Sequence, residues 1–445
     1  MGLGLLGRGV GDAAYIAESG ATEVIVTDLK DAAALATSVK VLERYPDVKL
    51  VLGEHRREDF QNRDLILVAA GVPLNSEYLE VARRMDVPLY QSAALFASIS
   101  QTPVVGITGT RGKSTVTAMI SHVIEMVTSE EVIRGGNIRG ISNLQLLKEV
   151  HEDSLAVMEL DSWQLQGWGW AKMSPQVAVF TNFMSDHLDY YQKGGFSEAK
   201  ALERYFLDKA NIFRYQDEFS TLVTTTAVFD LIKQYCPELT LGQEVVLVDD
   251  SLLPVELELV MPGVHNRFNA ALATAALEAL GLTREEIFPA LASFSGVEGR
   301  LQQVTTRQGV KIFNDNNATT PTATIMALKA LASKDKDQGL ILIAGGASKG
   351  LSAAELAYEI GQTCRQVFLI PGSGTEELLG YLHDNQIPVA VLADLRTAYQ
   401  AALQIAVIGD TILFSPGFAS FSQYKNEYER NDEFLQLVRD SLDVE

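Results

Sequence analysis

The sequence predicts an α/β protein built on parallel sheets, and three observations carry that prediction. Short apolar runs alternate with helical stretches, the pattern of repeated βα units. Two glycine-rich turns, GLGLLG at 2–7 and GTRGKST at 109–115, have the composition that lets backbone amides close on phosphate oxygens. Later runs, LILIA at 340–344, VFLI at 367–370 and TILF at 411–414, are each followed at once by Gly, Pro or Ser, as strands entering ligand-bearing loops are.

At 445 residues, with 47% apolar and 21% charged content, the chain is too long for one hydrophobic core. Three domains are expected, over 1–92, 93–298 and 299–445. In the first, strands are expected at 22–28 (TEVIVTD), 48–53, 65–71 and 87–90. Gly2, Gly4 and Gly7 spell G-x-G-x-x-G, and Asp28 closes the next strand 21 positions after Gly7, a ribose-binding distance. That turn should follow a strand, yet it begins at residue 2. Either the first strand is absent or the recorded start lies inside the reading frame.

The second domain opens with VVGIT after Pro103, passes through the second glycine turn, and continues with strands at 155–160 (LAVMEL) and 177–182 (VAVFTN). The third adds a run at 389–392 to the three named above.

Charge narrows the function. With 36 basic against 57 acidic residues the net charge is -21, so nucleic acid and anionic membranes are repelled, and a polyanionic substrate must meet a local positive pocket. The only two cysteines, Cys236 and Cys364, lack metal-ligand spacing and read as structural thiols of a reducing compartment. No apolar run approaches the ~18 residues of a membrane span, and the start lacks a basic n-region. A cytoplasmic, soluble monomer that binds neither nucleic acid nor membrane is expected.

GITGTRGKST at 106–115 carries the clearest chemistry. A strand leads into a glycine turn, and Lys-Ser-Thr heads a helical stretch. Lys113 is placed to neutralise β/γ phosphates and Ser114 to ligate Mg²⁺, although G-x-x-G-K-[ST] is shorter than the full Walker spacing. Glu159, at the carboxyl end of LAVMEL, is where a Mg²⁺ ligand is wanted, against the plainer reading of a solvated glutamate. His187 alone would be a surface histidine; in series with Lys113 and Glu159 it gains a metal or phosphate role. Asn266 and Asn269, three apart before an alanine-rich helix, suit either an adenine ring or a helix cap. Arg300, Asp315, Thr319, Lys349 and Ser415 fall at strand ends or glycine-bounded turns of the third domain.

Taken together, GITGTRGKST, GGNI at 135–138, ELDSWQLQ at 159–166, DHLDYY at 186–191, DKANIF at 208–213, GVHNRFN at 263–269, NDNNATT at 314–320 and SPGFASFSQYKNEYER at 415–430 resemble, in order and spacing, the Mur ligase family. The resemblance covers essentially the whole chain, and the last motif looks most like the glutamate-adding member. It implies a Rossmann-like UDP-binding domain, a central P-loop ATPase-like domain and a C-terminal Rossmann-like domain that brings the amino acid. It implies an ATP- and Mg²⁺-dependent ligase of peptidoglycan precursor synthesis, joining D-glutamate to UDP-N-acetylmuramoyl-L-alanine through an acyl phosphate.

By position, the resemblance puts the ATP phosphates on Gly109, Thr110, Arg111, Gly112, Lys113, Ser114 and Thr115. Asn266 and Asn269 fall at adenine, and Arg300 and Asp315 at ribose or phosphate. Ser114 and Glu159 would ligate one Mg²⁺, and His187 and a carbamylated Lys209 a second. Leu5, Leu6, Asp28, Lys30 and Gly71 would line the UDP pocket, with Asn137 and Gln164 near the muramoyl group. Thr319, Lys349, Ser415 and Phe421 would hold the glutamate. Four features depart from the family pattern. Arg111 replaces an asparagine; Asp161 replaces a serine and adds a negative charge close to the phosphates; Asn317 replaces a lysine that grips the amino acid. The stretch 191–203 is longer than usual, so Lys209 is placed by its local motif.

The rival readings are a dehydrogenase resting on the turn at 2–7, a folylpolyglutamate-type relative, and a non-catalytic nucleotide-binding regulator. The dehydrogenase leaves the Lys113 loop unexplained.

Overall fold

Strands form where β-branched and apolar residues run together. A computed structural model describes residues 1–4, 7–192, 195–332, 339–382 and 388–442, and the chain divides into two compact units. Leu5 and Leu6 lie outside the described residues.

The first unit comprises Met1–Leu253 and Asn269–Ala290. Its opening part holds β1 (Val24–Asp28) paired in parallel with β2 (Val48–Leu52), and β3 (Ile66–Leu67) paired in parallel with β4 (Leu89–Tyr90). The pairing is parallel, as the βα repeat implies, and the strands form two separate pairs. Between them runs the backbone of Met1 and Gly2, since Gly2 N–H donates to the Thr27 carbonyl at 2.8 Å and the Met1 carbonyl accepts from Ala69 N–H at 2.9 Å.

The rest of that unit is a six-stranded parallel sheet: β5 (Val104–Thr108), β6 (Glu131–Gly136), β7 (Ser154–Glu159), β8 (Val177–Phe180), β9 (Thr221–Thr224) and β10 (Glu244–Leu247), in the order β10-β9-β8-β5-β7-β6. Both faces are covered, so β5, β7 and β8 are buried along their whole lengths, as parallel strands should be. Trp168, Phe180, Phe206 and Phe213 fill the core beside the sheet. Each such side chain contributes about 1.5–3 kcal/mol by leaving water. Pairing of Ile107 with Glu159 and of Thr108 with Phe180 sets the carboxyl ends of β7 and β8 on either side of the end of β5.

The second unit, Pro254–Phe268 and Leu291–Glu445, holds β11 (Gln302–Arg307), β12 (Val310–Asn314), β13 (Leu340–Gly345), β14 (Cys364–Ile370), β15 (Val389–Val391) and β16 (Thr411–Phe414). The order is β11-β12-β16-β13-β14-β15, parallel except for the antiparallel edge strand β11. Along β13, Leu340, Leu342 and Ala344 pack into one core while Ile341 and Ile343 pack into another, the two-residue period of a sheet covered on both sides. Among the described residues no helix is long and apolar enough to cross a membrane.

Candidate active site

The glycine turn after β5 is shaped by two residues with positive φ, Gly109 at 143° and Gly112 at 83°. A Cβ on Gly112 would stand 2.5 Å from Asn269 Oδ1, so glycine is required there by backbone and by space. Gly112 caps the helix Lys113–Val127, whose first amides are left without intrahelical partners. Those amides and the helix dipole make the turn an anion cradle.

The loop 181–184 braces the cradle. Thr110 N–H donates to the Asn182 carbonyl at 3.0 Å, and Arg111 N–H to Asn182 Oδ1 at 2.9 Å. Thr181 Oγ1 donates to the Arg111 carbonyl at 2.6 Å. Arg111 is thus held by its main chain while its residue surface is exposed, so a side chain other than asparagine fits without disturbing the turn.

Two lysines converge on this turn. Lys113 Nζ donates to the carbonyls of Gly109 at 3.1 Å and Thr110 at 3.2 Å, and Lys209 Nζ donates to the same Gly109 carbonyl at 2.8 Å. Lys209 arrives on the last turn of the helix Glu198–Ala210, which Ser197 caps at its other end. It is only 1% exposed. Burial, then the nearby charge of Lys113, pulls its pKa well below that of an ordinary lysine.

Glu159, 7% exposed, ends β7 and stands beside the end of β5 by register. Its carbonyl accepts from Asn137 N–H at 2.7 Å; a Cβ on Gly136 would collide with that carbonyl, so GGNI can turn here only with glycine. Asp161 is engaged as a helix cap, and its charge also acts on Lys209 and His187. It caps the helix Ser162–Ala171 in a capping box, accepting from Gln164 N–H at 2.8 Å while Gln164 Oε1 accepts from Asp161 N–H at 3.4 Å. Gln164 is therefore buried and engaged in the cap.

His187 has left-handed backbone (φ 54°) and a half-exposed side chain, with its ring 4.7 Å from that of Trp163. Burial lowers its pKa and favours the neutral ring, the form that ligates metals. Ser114 opens the helix beside Lys113 and is partly exposed. Among the described residues no three His, Cys, Asp or Glu side chains gather as a metal cage.

Asn269 lies against Gly112 at the cradle. Asn266, on the same helix Val264–Ala279, donates through Nδ2 to the Pro262 carbonyl at 2.8 Å. In the opening part, Asp28 accepts from the amides of Leu3 at 2.8 Å, Gly4 at 3.1 Å and Lys30 at 2.8 Å. Burial opposes its charge, but these donors outweigh it and hold its pKa below the usual range. Asp28 thus organises the first glycine turn. Lys30 is exposed, and Gly71 has φ 89°.

Sequence reading missed Arg8 and Asp12. Arg8 donates to Asn137 Oδ1 at 2.7 Å, and Asp12 accepts from Ser142 Oγ at 2.6 Å, which fixes the GGNI loop against the helix Arg8–Glu18. The position of Arg8, directly after the glycine turn, was the available signal.

In the second unit, Lys349 Nζ donates to Thr319 Oγ1 at 2.8 Å, joining the loops after β13 and β12. Asp315 accepts from Leu301 N–H at 2.9 Å and from Ser415 Oγ at 2.7 Å, and burial lifts its pKa to about 7. Ser415 is fully buried, so its hydroxyl serves Asp315. Phe421 is 68% exposed, and Arg300 is partly exposed. Asn317 accepts a bond from the Asn316 amide at 3.3 Å and donates to the Glu298 carbonyl at 3.4 Å.

A parallel α/β sheet with a glycine turn and a buried glutamate at its strand ends, reached by a buried lysine from the helix Glu198–Ala210, has the features of a nucleotide-dependent ligase of the P-loop type. The chain belongs to the Mur ligase family. Residues 107–239 match the Mur ligase middle domain, and residues 299–418 the Mur ligase glutamate ligase domain. It is 34% identical to a UDP-N-acetylmuramoylalanine--D-glutamate ligase of Roseiflexus sp. (strain RS-1), over 98% of this chain and 97% of that protein. It is 31% identical to the enzyme of the same name from Borreliella burgdorferi (strain ATCC 35210), over 98% and 96%. The fold matches UDP-N-acetylmuramate-alanine ligase MurC from Thermotoga maritima at TM-score 0.59 and 19% identity, covering 99% of this chain and 98% of that one. It also matches the MurF ligase from Thermotoga maritima in complex with ADP, at TM-score 0.59 and 18% identity over 96% of each.

Proposed function

We propose that this protein is the cytoplasmic, monomeric ligase that adds D-glutamate to UDP-N-acetylmuramoyl-L-alanine at the expense of ATP. The observation that carries the reading is the convergence of Lys113 and Lys209 on the Gly109 carbonyl, beside Glu159. The names of relatives aligned over nearly the whole chain support the same substrates.

In this reading Gly109 to Thr115 cradle the triphosphate, and Lys113 exchanges its two carbonyl acceptors for phosphate oxygens. Asn266 and Asn269 serve adenine, and Arg300 and Asp315 the ribose or phosphate. The alanine carboxylate attacks the γ-phosphorus and ADP departs, giving an acyl phosphate. The glutamate amine then attacks the acyl carbon, phosphate leaves, and the nitrogen loses a proton as the amide forms. Asp28, Lys30 and Gly71 line the UDP site, Asn137 and Gln164 the muramoyl end. Thr319 and Lys349 hold the glutamate, with Phe421 against it and Ser415 acting through Asp315.

The donor set suits Mg²⁺. A hydroxyl at Ser114 and a carboxylate at Glu159 are hard oxygen ligands, and this cation is commonly held by one or two carboxylates plus phosphates and water. When bound, it would offset charge on the phosphates. His187 and Lys209 would serve a second ion. Burial favours the neutral amine of Lys209, which can attack CO₂ and lose a proton to become a carbamate anion; that conversion turns a cation into a ligand.

Three domains, over 1–92, 93–298 and 299–445, remain our reading of the architecture, supported by the separate sheets in each stretch. Hydroxylamine tests the chemistry directly. With ATP and UDP-N-acetylmuramoyl-L-alanine but no glutamate, it should trap the acyl phosphate as a hydroxamate. Absence of hydroxamate under conditions where ATP binds would defeat the acyl-phosphate route.

A further inference from the structure

Asp208 precedes Lys209 on the helix Glu198–Ala210, and successive residues of a helix point about 100° apart. Lys209 reaches the Gly109 carbonyl. Asp208 serves two other elements: its Oδ2 accepts from Gln166 Nε2 at 2.7 Å and from the Tyr191 hydroxyl at 2.8 Å. Both donors are neutral, so this carboxylate does not act as half of an ion pair with them. Gln166 and Tyr191 are buried, and a buried polar group without a partner is costly. One carboxylate oxygen therefore satisfies both and ties three helices together.

The tie matters because of what each helix carries. Gln166 lies on the helix Ser162–Ala171 with Trp163, whose ring packs on His187. Tyr191 closes the one-turn helix Leu188–Tyr191, which His187 heads. Within that turn the amides of Tyr190 and Tyr191 return to the His187 carbonyl, at 3.0 and 3.4 Å, so a hold on Tyr191 is a hold on His187.

The end of the Lys209 helix is seated separately. Asn211 Nδ2 donates to the Leu165 carbonyl at 3.1 Å, and a Cβ on Gly169 would stand 2.6 Å from that nitrogen. The His187 turn meets the Lys209 helix through rings, Tyr191 on Tyr205 at 5.3 Å and His187 on Tyr205 at 5.9 Å. Ring contacts tolerate sliding, whereas a hydrogen bond is directional and fixes position. Lys209 Nζ stands 4.9 Å from the centre of the same Tyr205 ring, so His187 and Lys209 flank one side chain.

We propose that Asp208 is a positioning residue for the reaction: through Tyr191 it locks the His187 turn to the helix of Lys209, setting the two side chains at the spacing one cation needs. The inference rests on the reading that His187 and Lys209 serve a second ion. Gln166 braces the carboxylate from the opposite helix.

The test compares the full-length parent with Asp208→Ala, Asp208→Asn, Tyr191→Phe and Lys209→Ala. Amide exchange at Tyr190 and Gln192 is read in metal-free protein, and Mn²⁺ binding with a non-hydrolysable ATP analogue is counted by paramagnetic resonance. Tyr191→Phe removes only the hydroxyl and serves where Asp208→Ala fails to fold. Both should speed exchange at these amides about tenfold and weaken the second Mn²⁺ about 10- to 100-fold while the first still binds. Turnover should fall by a similar factor with KM for ATP within about threefold of the parent. Asp208→Asn, which keeps an acceptor oxygen, should recover most of the loss. Lys209→Ala should lose the second ion without faster exchange at Tyr190 and Gln192. Parent-like affinity for the second ion in Tyr191→Phe and Asp208→Ala, with that ion lost in Lys209→Ala, would overturn the positioning role alone, even if both variants were less stable. Retention of the second ion in Lys209→Ala would overturn the second-ion reading and the positioning role with it.

Discussion

Lys209 Nζ lies 2.8 Å from the Gly109 carbonyl oxygen, and the same oxygen accepts from Lys113 Nζ at 3.1 Å. A buried amine beside a second cation is costly as an ammonium, and that cost is what makes Lys209 available for chemistry. Lys209→Ala should therefore lower turnover by on the order of 100-fold or more, with partial recovery when a small carboxylate such as acetate or formate is added. Steady-state phosphate release with and without the carboxylate checks this. Full activity in the variant would remove Lys209 from the reaction.

The cap at Asp161 separates structure from electrostatics. Asp161→Ala should cost about 1 kcal/mol in denaturant unfolding of the first unit. Asp161→Ser, which keeps an acceptor for the Gln164 amide but drops the charge, should restore most of it and leave ATP affinity near that of the parent. If the charge itself governs nucleotide binding, the serine variant will shift ATP affinity while stability stays put.

Gly112→Ala brings a methyl into conflict with Asn269 Oδ1 at a residue with φ 83°. Loss of at least about 1 kcal/mol in stability is expected, together with weaker ADP binding by calorimetry. Parent-like ADP affinity would mean that the turn tolerates distortion and is not the phosphate cradle.

Lys349 and Thr319 supply the glutamate test. Removing the charge with Lys349→Met should raise KM for glutamate about 10- to 100-fold, the worth of a hydrogen bond to a charged group, with less effect on KM for ATP. Thr319→Val should act in the same direction but more weakly. A change confined to ATP would assign the pair to the nucleotide.

Asp315 predicts a pH signature. Its folded pKa, about 7, lies above the ordinary carboxyl value of 3.8 because it is buried. The folded state therefore binds more protons than the unfolded state between these values. The stability this residue contributes is full below about pH 4 and is lost as pH rises through about 7. Asp315→Asn should flatten the fall in stability over that window, by up to about one proton's worth of slope. Denaturant midpoints at several pH values check it, and an unchanged slope would place the titration elsewhere.

How much of this is legible in the sequence depends on distance along the chain. The phosphate turn and Glu159 are local signals, each a strand followed by the residue its loop requires, and they stand where the pattern puts them. The edge strand β11, QQVTTR, is half-buried and polar, so it offers no apolar run. The pairs Arg8–Asn137 and Asp12–Ser142 span about 130 positions and exist only after folding. Asp161 reads as a charge near phosphates, and its spacing also carries a second signal, for D-x-x-Q before an apolar stretch fits the capping box seen here. The parallel βα pattern over β1 to β4 is legible, but their division into two pairs, with Met1 and Gly2 bonded between them, is not.

The most direct measurement is phosphate release from ATP with each substrate omitted in turn, and with D- and L-glutamate side by side. The account predicts sustained release only when ATP, UDP-N-acetylmuramoyl-L-alanine and D-glutamate are all present. Sustained release without either acceptor, or with L-glutamate in preference to D-glutamate, would contradict it.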